Sequence, residues 1–143
     1  NPQWYSELGP HTLLSPHPGE FKRLLGINTL KADQLELAQE FSHRHQLYLL
    51  LKGAISVLIC PKGDMHFYDL GHPALAKGGS GDLLAGAITA FLAQGYSILD
   101  SVSLAQYAQG NAAKLAAYKM GHPQAVLSSD IVKQLGAAFA EKN

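Results

Sequence analysis

The chain has 143 residues, enough for one domain with a substantial core, and its 47% hydrophobic and 15% charged residues are typical of a soluble globular protein. Eleven basic and eleven acidic side chains cancel, so the charge balance favours neither nucleic acid nor an anionic membrane as a partner. No apolar run is long enough to span a membrane, no signal peptide is visible, and the single cysteine, Cys60, excludes an internal disulfide, which together predict a cytoplasmic protein.

The predicted elements follow one another in the order of an α/β layer. The chain begins at Asn1 without a methionine, already close to a strand, so we expect it to be part of a longer protein. The first helix is brief and stops at Gly26, as expected for a glycine that follows the last helical turn. The predicted strands are residues 12–15, 47–51, 55–60 and 65–69, and the later predicted helices are residues 30–45, 81–94, 98–120 and 129–142.

The residue patterns of these segments predict which of their faces pack against other parts of the fold. Residues 47–51 and 55–60 are apolar without alternation, which is typical of strands covered on both faces, as in a parallel sheet. Residues 62–64 read Lys-Gly-Asp and predict a turn into an antiparallel return strand. The helix at 98–120 is rich in alanine and apolar on most faces, so we expect it to be sandwiched between other elements.

A glycine-rich segment, residues 78–82, reads Gly-Gly-Ser-Gly-Asp and leads directly into a helix. A glycine turn that opens a helix leaves backbone N–H groups free, and together with the helix dipole these form an anion site. Asp82 is unusual there, because a plain phosphate cradle would not need a carboxylate, whereas phosphoryl transfer can use one as the base. The alternative is a helix start that Ser80 or Asp82 merely caps. The apolar positions of the helix recur at intervals of three and four residues, at Leu83, Leu84, Ala87, Ile88, Phe91 and Leu92.

Two other segments place charged or polar side chains at strand ends. Lys52 and Gly53 follow a strand, where open α/β sheets bind ligands and where a lysine can meet a nucleotide phosphate. The alternative is a plain turn between two strands. His17 and Glu20 follow the first strand, and Glu20 either holds a water bound to Mg²⁺ or caps the next helix.

The remaining chemistry-bearing residues exclude other enzyme classes. His43 and His45 are two residues apart on a helix and point to different sides, which makes a metal pair improbable. No Cys/His cluster, Ser-His-Asp order or paired-thiol motif is present. A metal-centred or acyl-transfer enzyme is therefore disfavoured.

Residues 15–21, 51–54 and 71–82, in this order, resemble the ADP/ATP-dependent NAD(P)H-hydrate dehydratases of the ribokinase-like superfamily, and Ser-Asp-Ile at 129–131 extends the match. His17 is discriminating, because the vitamin kinases of the superfamily usually have Asn there. The family's domain is longer, and this chain resembles its C-terminal half. The resemblance implies an α/β, ribokinase-like layered sheet with helices on both faces, the chain from 1 to 143 being the C-terminal part of a single domain.

The resemblance also implies a reaction. ADP or ATP, with Mg²⁺, phosphorylates the hydroxyl of NADH or NADPH hydrated on the nicotinamide ring, and phosphate then leaves. Asp82 matches the base that contacts the substrate, and His17 matches a contact to the hydrated cofactor. Glu20 falls where kinases of the superfamily place a Mg²⁺-associated glutamate. The matched anion-hole residues are Gly79, Ser80 and Gly81, of which Gly81 also contacts the nucleotide; the matched nucleotide-binding loop is Lys52, Gly53, Ala54, Ile55 and Ser56.

Some positions depart from the family pattern. His72 stands where the family commonly has Asn, and Ser15 where it commonly has Thr. The N-terminal half of the family's domain is not part of the match, so we expect that half as a partner, and a homo-oligomer as the assembled state. Two alternatives stay open: a ribokinase-like kinase of a vitamin or sugar, and a nucleotide-binding fragment that is inactive alone.

Overall fold

The computed structural model describes residues 7–28 and 33–140, which divide into two compact units between Asp69 and Leu70. The first unit contains a four-stranded mixed sheet whose spatial order follows the chain. Its first two strands are parallel, and the other neighbours are antiparallel. The elements of this unit are β1 (Leu13–Leu14), α1 (Pro18–Leu25), α2 (Gln34–His45), β2 (Tyr48–Leu51), β3 (Ser56–Ile59) and β4 (Met65–Tyr68).

The central pair of strands corrects the parallel arrangement expected from their apolar sequences. β2 and β3 are antiparallel, with Leu50 opposite Leu58. Only residues 52–55 connect them, whereas a parallel pair needs a crossover of about a dozen residues or more. The return strand β4 is antiparallel to β3, as predicted from the turn at 62–64.

Burial of both faces of β2 and β3 confirms that these strands are covered on both sides. Leu50 and Leu58 are fully buried, as are their alternating neighbours Leu49 and Ile59. The face that carries Leu49 and Ile59 packs into one core cluster with helix residues. The buried members of that cluster are Phe21, Ala38, Phe41, Leu47, Leu49, Leu51, Val57 and Ile59.

The two helices of this unit end where the sequence predicts. Gly26 has φ 69°, and its N–H donates to the carbonyl of Arg23, so the glycine stops α1 in the left-handed conformation. α2 ends at His45, as predicted. The predicted start of α2 at residue 30 lies outside the described residues.

The second unit is helical and has α4 (Ile98–Met120) at its centre. α3 (Ser80–Ala93) and α5 (Ser128–Ala138) both pack against α4, which confirms the sandwiched position predicted from its alanines. Small side chains let these helices approach closely, and Ala112, Ala113 and Ile131 are fully buried. Short 3₁₀ turns lie at Pro73–Leu75 and Pro123–Ala125.

Helix boundaries in this unit differ from prediction by small amounts, except at the C-terminus. α4 has the predicted bounds, and α3 begins and ends one residue early. α5 ends at Ala138, so the predicted extension is wrong at residues 139–140, and residues 141–142 lie outside the described chain. None of the helices described has the length and apolarity needed to cross a membrane.

Candidate active site

The glycine segment forms the start of α3, as the sequence predicts. Gly79 is the N-cap residue with φ 86°, a conformation that glycine adopts without strain. No side chain among the described residues caps this helix, so the alternative that Ser80 or Asp82 serves as a cap is wrong. Ser80 is the first residue of the helix and Asp82 the third.

The backbone at this helix start carries unused donors. Within the described residues, the N–H groups of Gly79, Gly81 and Asp82 donate no hydrogen bond, and that of Ser80 donates only a long one, 3.5 Å, to the carbonyl of Lys77. The Ser80 hydroxyl is buried and also lacks a partner among the described residues. Such a group of orphan donors at the positive end of a helix dipole favours an anion.

Asp82 differs from the acids in the first turns of α1, α4 and α5. Glu20 accepts the N–H of His17, Asp100 accepts the hydroxyl of Ser97, and Asp130 accepts the N–H of Leu127, so each of them stabilises its own helix start. Asp82 is exposed, and its carboxylate makes no hydrogen bond to the described residues. This carboxylate has no capping role and remains available to a ligand.

Three side chains that the sequence did not single out hold the glycine segment. Lys77 donates to the carbonyls of Pro123 and Val126. Ser128 at the start of α5 donates to the carbonyl of Gly78, and Gln109 of α4 donates to that of Ser80. Two signals were available: a buried glutamine within an alanine-rich helix, and a serine beside the matched segment 129–131.

The segment 129–131 has a structural role. The Asp130 carboxylate accepts the N–H of Leu127 at 3.1 Å and also contacts Lys133, which lowers its pKa. Ile131 is fully buried in the core of the second unit. These contacts define where α5 begins, and they therefore place Ser128.

In the first unit, His17, Glu20 and Lys52 lie together. His17 Nδ1 accepts the N–H groups of Gly19 and Glu20, while Glu20 Oε2 accepts the N–H of His17 at 2.8 Å, which makes a capping box for α1. Lys52 Nζ lies 3.7 Å from Glu20 Oε2. The backbone N–H of His17, with the Lys52 charge as a smaller cause, lowers the pKa of Glu20. The structure thus confirms that Glu20 caps α1, and a role toward a metal ion stays a prediction.

Residues 52–55 form the turn between β2 and β3, and Lys52 and Gly53 lie where the strand β2 ends, as predicted. A Cβ on Gly53 would lie 3.0 Å from the carbonyl oxygen of Ile55, a close approach that leaves little room for a larger residue in this turn. Ala54 and Ile55 are exposed, whereas Ser56 is buried as the first residue of β3. The turn therefore presents an exposed backbone beside the partly buried ammonium of Lys52.

No group of three or more His, Cys, Asp or Glu side chains in the described parts of the chain is arranged to hold a metal ion. His43 Nδ1 contacts the carbonyl of Pro61, and the His45 ring lies against Phe41. The two histidines are engaged by different neighbours.

Comparison with known proteins identifies the family. The Carb_kinase family model, described as NAD(P)H-hydrate dehydratase, matches residues 1–136. The chain belongs to this family. The NAD(P)H-hydrate dehydratase family has the ribokinase-like α/β fold expected from the sequence, and that expectation is confirmed.

Individual members of the dehydratase family show how much of a relative the chain spans. It is 38% identical over 122 residues to the bifunctional NAD(P)H-hydrate repair enzyme of Moorella thermoacetica, covering 84% of this chain and 23% of the relative. It is 39% identical over 109 residues to the ADP-dependent (S)-NAD(P)H-hydrate dehydratase of Bacillus subtilis, and the match covers 75% of this chain and 39% of that relative. The structure of the ADP/ATP-dependent Bacillus subtilis dehydratase, co-crystallised with ATP/Mg²⁺, aligns with a TM-score of 0.78 at 34% identity, covering 89% of this chain and 46% of that one. The chain thus spans less than half the length of these relatives.

Proposed function

We propose that the protein containing this chain dehydrates hydrated NADH or NADPH at the expense of ADP or ATP, as a hydro-lyase of metabolite repair. Family membership supports the proposal. The observation that carries it is Asp82, an exposed carboxylate in the first turn of α3, which caps nothing and stands beside unused backbone donors.

The proposed reaction uses these groups in two stages. Asp82 accepts the proton of the substrate hydroxyl, whose oxygen bonds to the terminal phosphorus of the nucleotide while the bond from that phosphorus to the leaving nucleotide oxygen breaks. The N–H groups of Gly79, Ser80 and Gly81 stabilise the negative charge on the transferred phosphoryl group, and Gly81 also contacts the nucleotide. The bond between the ring carbon and the phosphate oxygen then breaks, a proton leaves the neighbouring ring carbon, and the ring double bond of the reduced cofactor is restored. The nucleotide thus loses one phosphoryl group for each water removed.

Residues of the first unit are assigned to ligand binding in the same proposal. The Lys52 ammonium binds a nucleotide phosphate. The exposed residues 53–55 form a turn that a nucleotide can approach, and Ser56 completes this loop at the start of β3. His17 contacts the hydrated cofactor through Nε2, because its Nδ1 is used at the start of α1.

Glu20 would hold Mg²⁺ through a bound water. The Glu20 side chain is 42% exposed, and its Oε1 lies 3.5 Å from His17 Nε2 and accepts no N–H from the described backbone. A single exposed carboxylate of this kind fits an ion that keeps most of its waters. When bound, Mg²⁺ neutralises charge on the nucleotide phosphates.

Spectroscopy of the complete protein tests the function directly. Hydrated NADH is incubated with ADP or with ATP, and the return of the absorbance of reduced nicotinamide is followed together with released phosphate. Equal amounts of the two products are expected. A phosphorylated product that persists would instead indicate a small-molecule kinase of the same superfamily, and no turnover of either kind would overturn the proposed activity.

Replacing Lys52 tests whether this residue binds the nucleotide or the hydrated cofactor. We expect Lys52→Ala to weaken ADP or ATP binding by about 10-fold or more, because one charge-assisted phosphate contact is lost, and to leave binding of the hydrated cofactor within about threefold. Isothermal titration with each ligand measures this. Lys62→Ala, which removes an exposed lysine from the turn between β3 and β4, is the control. Equal weakening of both ligands by Lys52→Ala would show that this lysine only shapes its turn.

The partner proposed for this chain is the N-terminal half of the same ribokinase-like domain. The solved relative is more than twice as long as the part that aligns with this chain. Within the described residues, the sheet has β1 and β4 at its edges, and β1 pairs only with β2. An edge strand of this kind accepts a further strand. A cytoplasmic location and a homo-oligomeric assembly belong to the same proposal.

Association in solution tests this partner. Expressed alone, the 143-residue chain is expected to associate or aggregate, since unpaired strand edges bind other chains. Co-expression with the N-terminal half should instead yield one defined species that contains both polypeptides. Light scattering coupled to size-exclusion chromatography distinguishes these states. A well-folded monomer of this chain alone would contradict the expectation.

A further inference from the structure

We propose that Ser128 and Gln109 are positioning residues that direct the backbone N–H groups of Gly79 and Gly81 at the transferred phosphoryl group. The inference rests on the function proposed above. Neither side chain belongs to the glycine segment. Ser128 lies 50 residues from the carbonyl that it contacts, and Gln109 lies 29 residues from its own.

The geometry of the peptide bond links these contacts to the anion hole. In a planar trans peptide, the carbonyl of one residue and the N–H of the next point in opposite directions. Ser128 Oγ donates to the Gly78 carbonyl at 2.8 Å, and Gln109 Nε2 donates to the Ser80 carbonyl at 2.6 Å. Each contact therefore sets the direction of the N–H that follows, and neither of these two N–H groups donates to another described residue.

Both positioning residues, Gln109 and Ser128, lie on well-packed helices. Gln109 is 4% exposed within α4. Ser128 is the first residue of α5, whose start is defined by the bond between Asp130 and the N–H of Leu127. Ser128 also closes the space above Gly79, where a Cβ would lie 3.1 Å from Ser128 Oγ.

The backbone of the glycine segment needs contacts of this kind to fix its conformation. Glycine populates positive and negative φ almost equally, so the peptide between Gly78 and Gly79 has little intrinsic preference for one orientation. Rotation of that peptide would turn the Gly79 N–H away from the ligand. Holding the carbonyls from outside makes the donors preorganised, which stabilises a charged transition state more than it stabilises bound nucleotide.

Two truncations in the complete protein test the proposal. We expect Ser128→Ala and Gln109→Leu each to lower kcat by about 10-fold, while KM for the nucleotide stays within about threefold. Ser128→Thr retains the hydroxyl and should restore most of the rate. This separation of kcat from KM, together with rescue by threonine, is not expected from a general loss of packing.

Two further variants are matched controls. Thr89→Ala removes a hydroxyl that bonds a backbone carbonyl within α3, far from its start. Gln106→Leu removes a second buried glutamine, one turn before Gln109, whose Nε2 has no partner among the described residues. Both controls should keep the wild-type kcat, and melting temperatures of all variants verify that they are folded.

The outcomes distinguish a failure of the positioning role from a failure of the proposed function. A wild-type protein that releases no phosphate from ADP or ATP overturns the function. An active wild type with Ser128→Ala and Gln109→Leu within about twofold of its kcat overturns the anchoring role and leaves the function standing. If Ser128→Ala does not fold, Ser128→Cys replaces it, because a thiol has a similar volume but donates only a weak hydrogen bond. Full activity of Ser128→Cys would also overturn the positioning role of Ser128.

Discussion

Replacing Asp82 by asparagine is expected to lower the turnover of the complete protein by about 10²-fold or more. The substitution keeps the size of the side chain and removes its capacity to accept a proton. Asp82 makes no hydrogen bond to the described residues, so the fold loses little more than a favourable interaction between a carboxylate and a helix N-terminus. Turnover is measured with hydrated NADH and ADP or ATP.

Asp100→Asn is the matched control. Asp100 is the third residue of α4, as Asp82 is the third residue of α3, so both variants lose a carboxylate at the same helical position. Asp100 bonds Ser97, and its replacement should lower stability slightly and leave turnover unchanged. Near-normal turnover of a folded Asp82→Asn protein would remove Asp82 from the mechanism, and an equal loss in both variants would point to helix stability instead.

The second large effect is expected on stability. A Cβ at position 110 of α4 would lie 2.6 Å from the carbonyl oxygen of Leu70, closer than such atoms can approach. Gly110→Ala therefore forces the backbone near Leu70 or α4 itself to move. Overpacking of this kind costs about 1–3 kcal/mol in the free energy of unfolding. Thermal or urea denaturation of the assembled protein measures the loss.

Gly136→Ala provides the control of opposite sign. Gly136 lies within α5, and a Cβ there meets nothing within 4 Å. Alanine is the better helix former, so this variant should gain about 0.5–1 kcal/mol. Equal stability of the two alanine variants would contradict the close approach between Gly110 and Leu70.

Much of the candidate site could be predicted from local sequence. The turn at Gly79, the helix that follows and the exposed Asp82 depend on residues within a few positions of one another. The grouping of His17 with Glu20 is likewise local, because a capping box links two residues that are three positions apart. Its capping geometry was foreseen as an alternative, and the structure confirms it.

The sequence alone also determined the main helices and where they stop. The bounds of α4 and the end of α1 at Gly26 follow from periodicity and from glycine's access to positive φ, which are properties of neighbouring residues. The four strands could also be recognised in the sequence, β2 and β3 as apolar runs and β4 as a return strand after the turn at 62–64. The pairing of β2 with β3 could not, since an apolar run covered on both faces is compatible with parallel and antiparallel neighbours alike.

Only the tertiary structure decided which distant groups meet. Lys52 reaches Glu20, Ser128 reaches Gly78, and Gln109 reaches Ser80, across 32, 50 and 29 residues of chain respectively. Such contacts depend on the packing of whole elements. The position of Ser128 beside the segment 129–131 is visible in the sequence, but the distant carbonyl that this serine holds is not. Interactions between neighbouring residues thus determine where the backbone N–H donors of the glycine segment and the Asp82 carboxylate lie. The packing of α4 and α5 against α3 determines which side chains hold that segment.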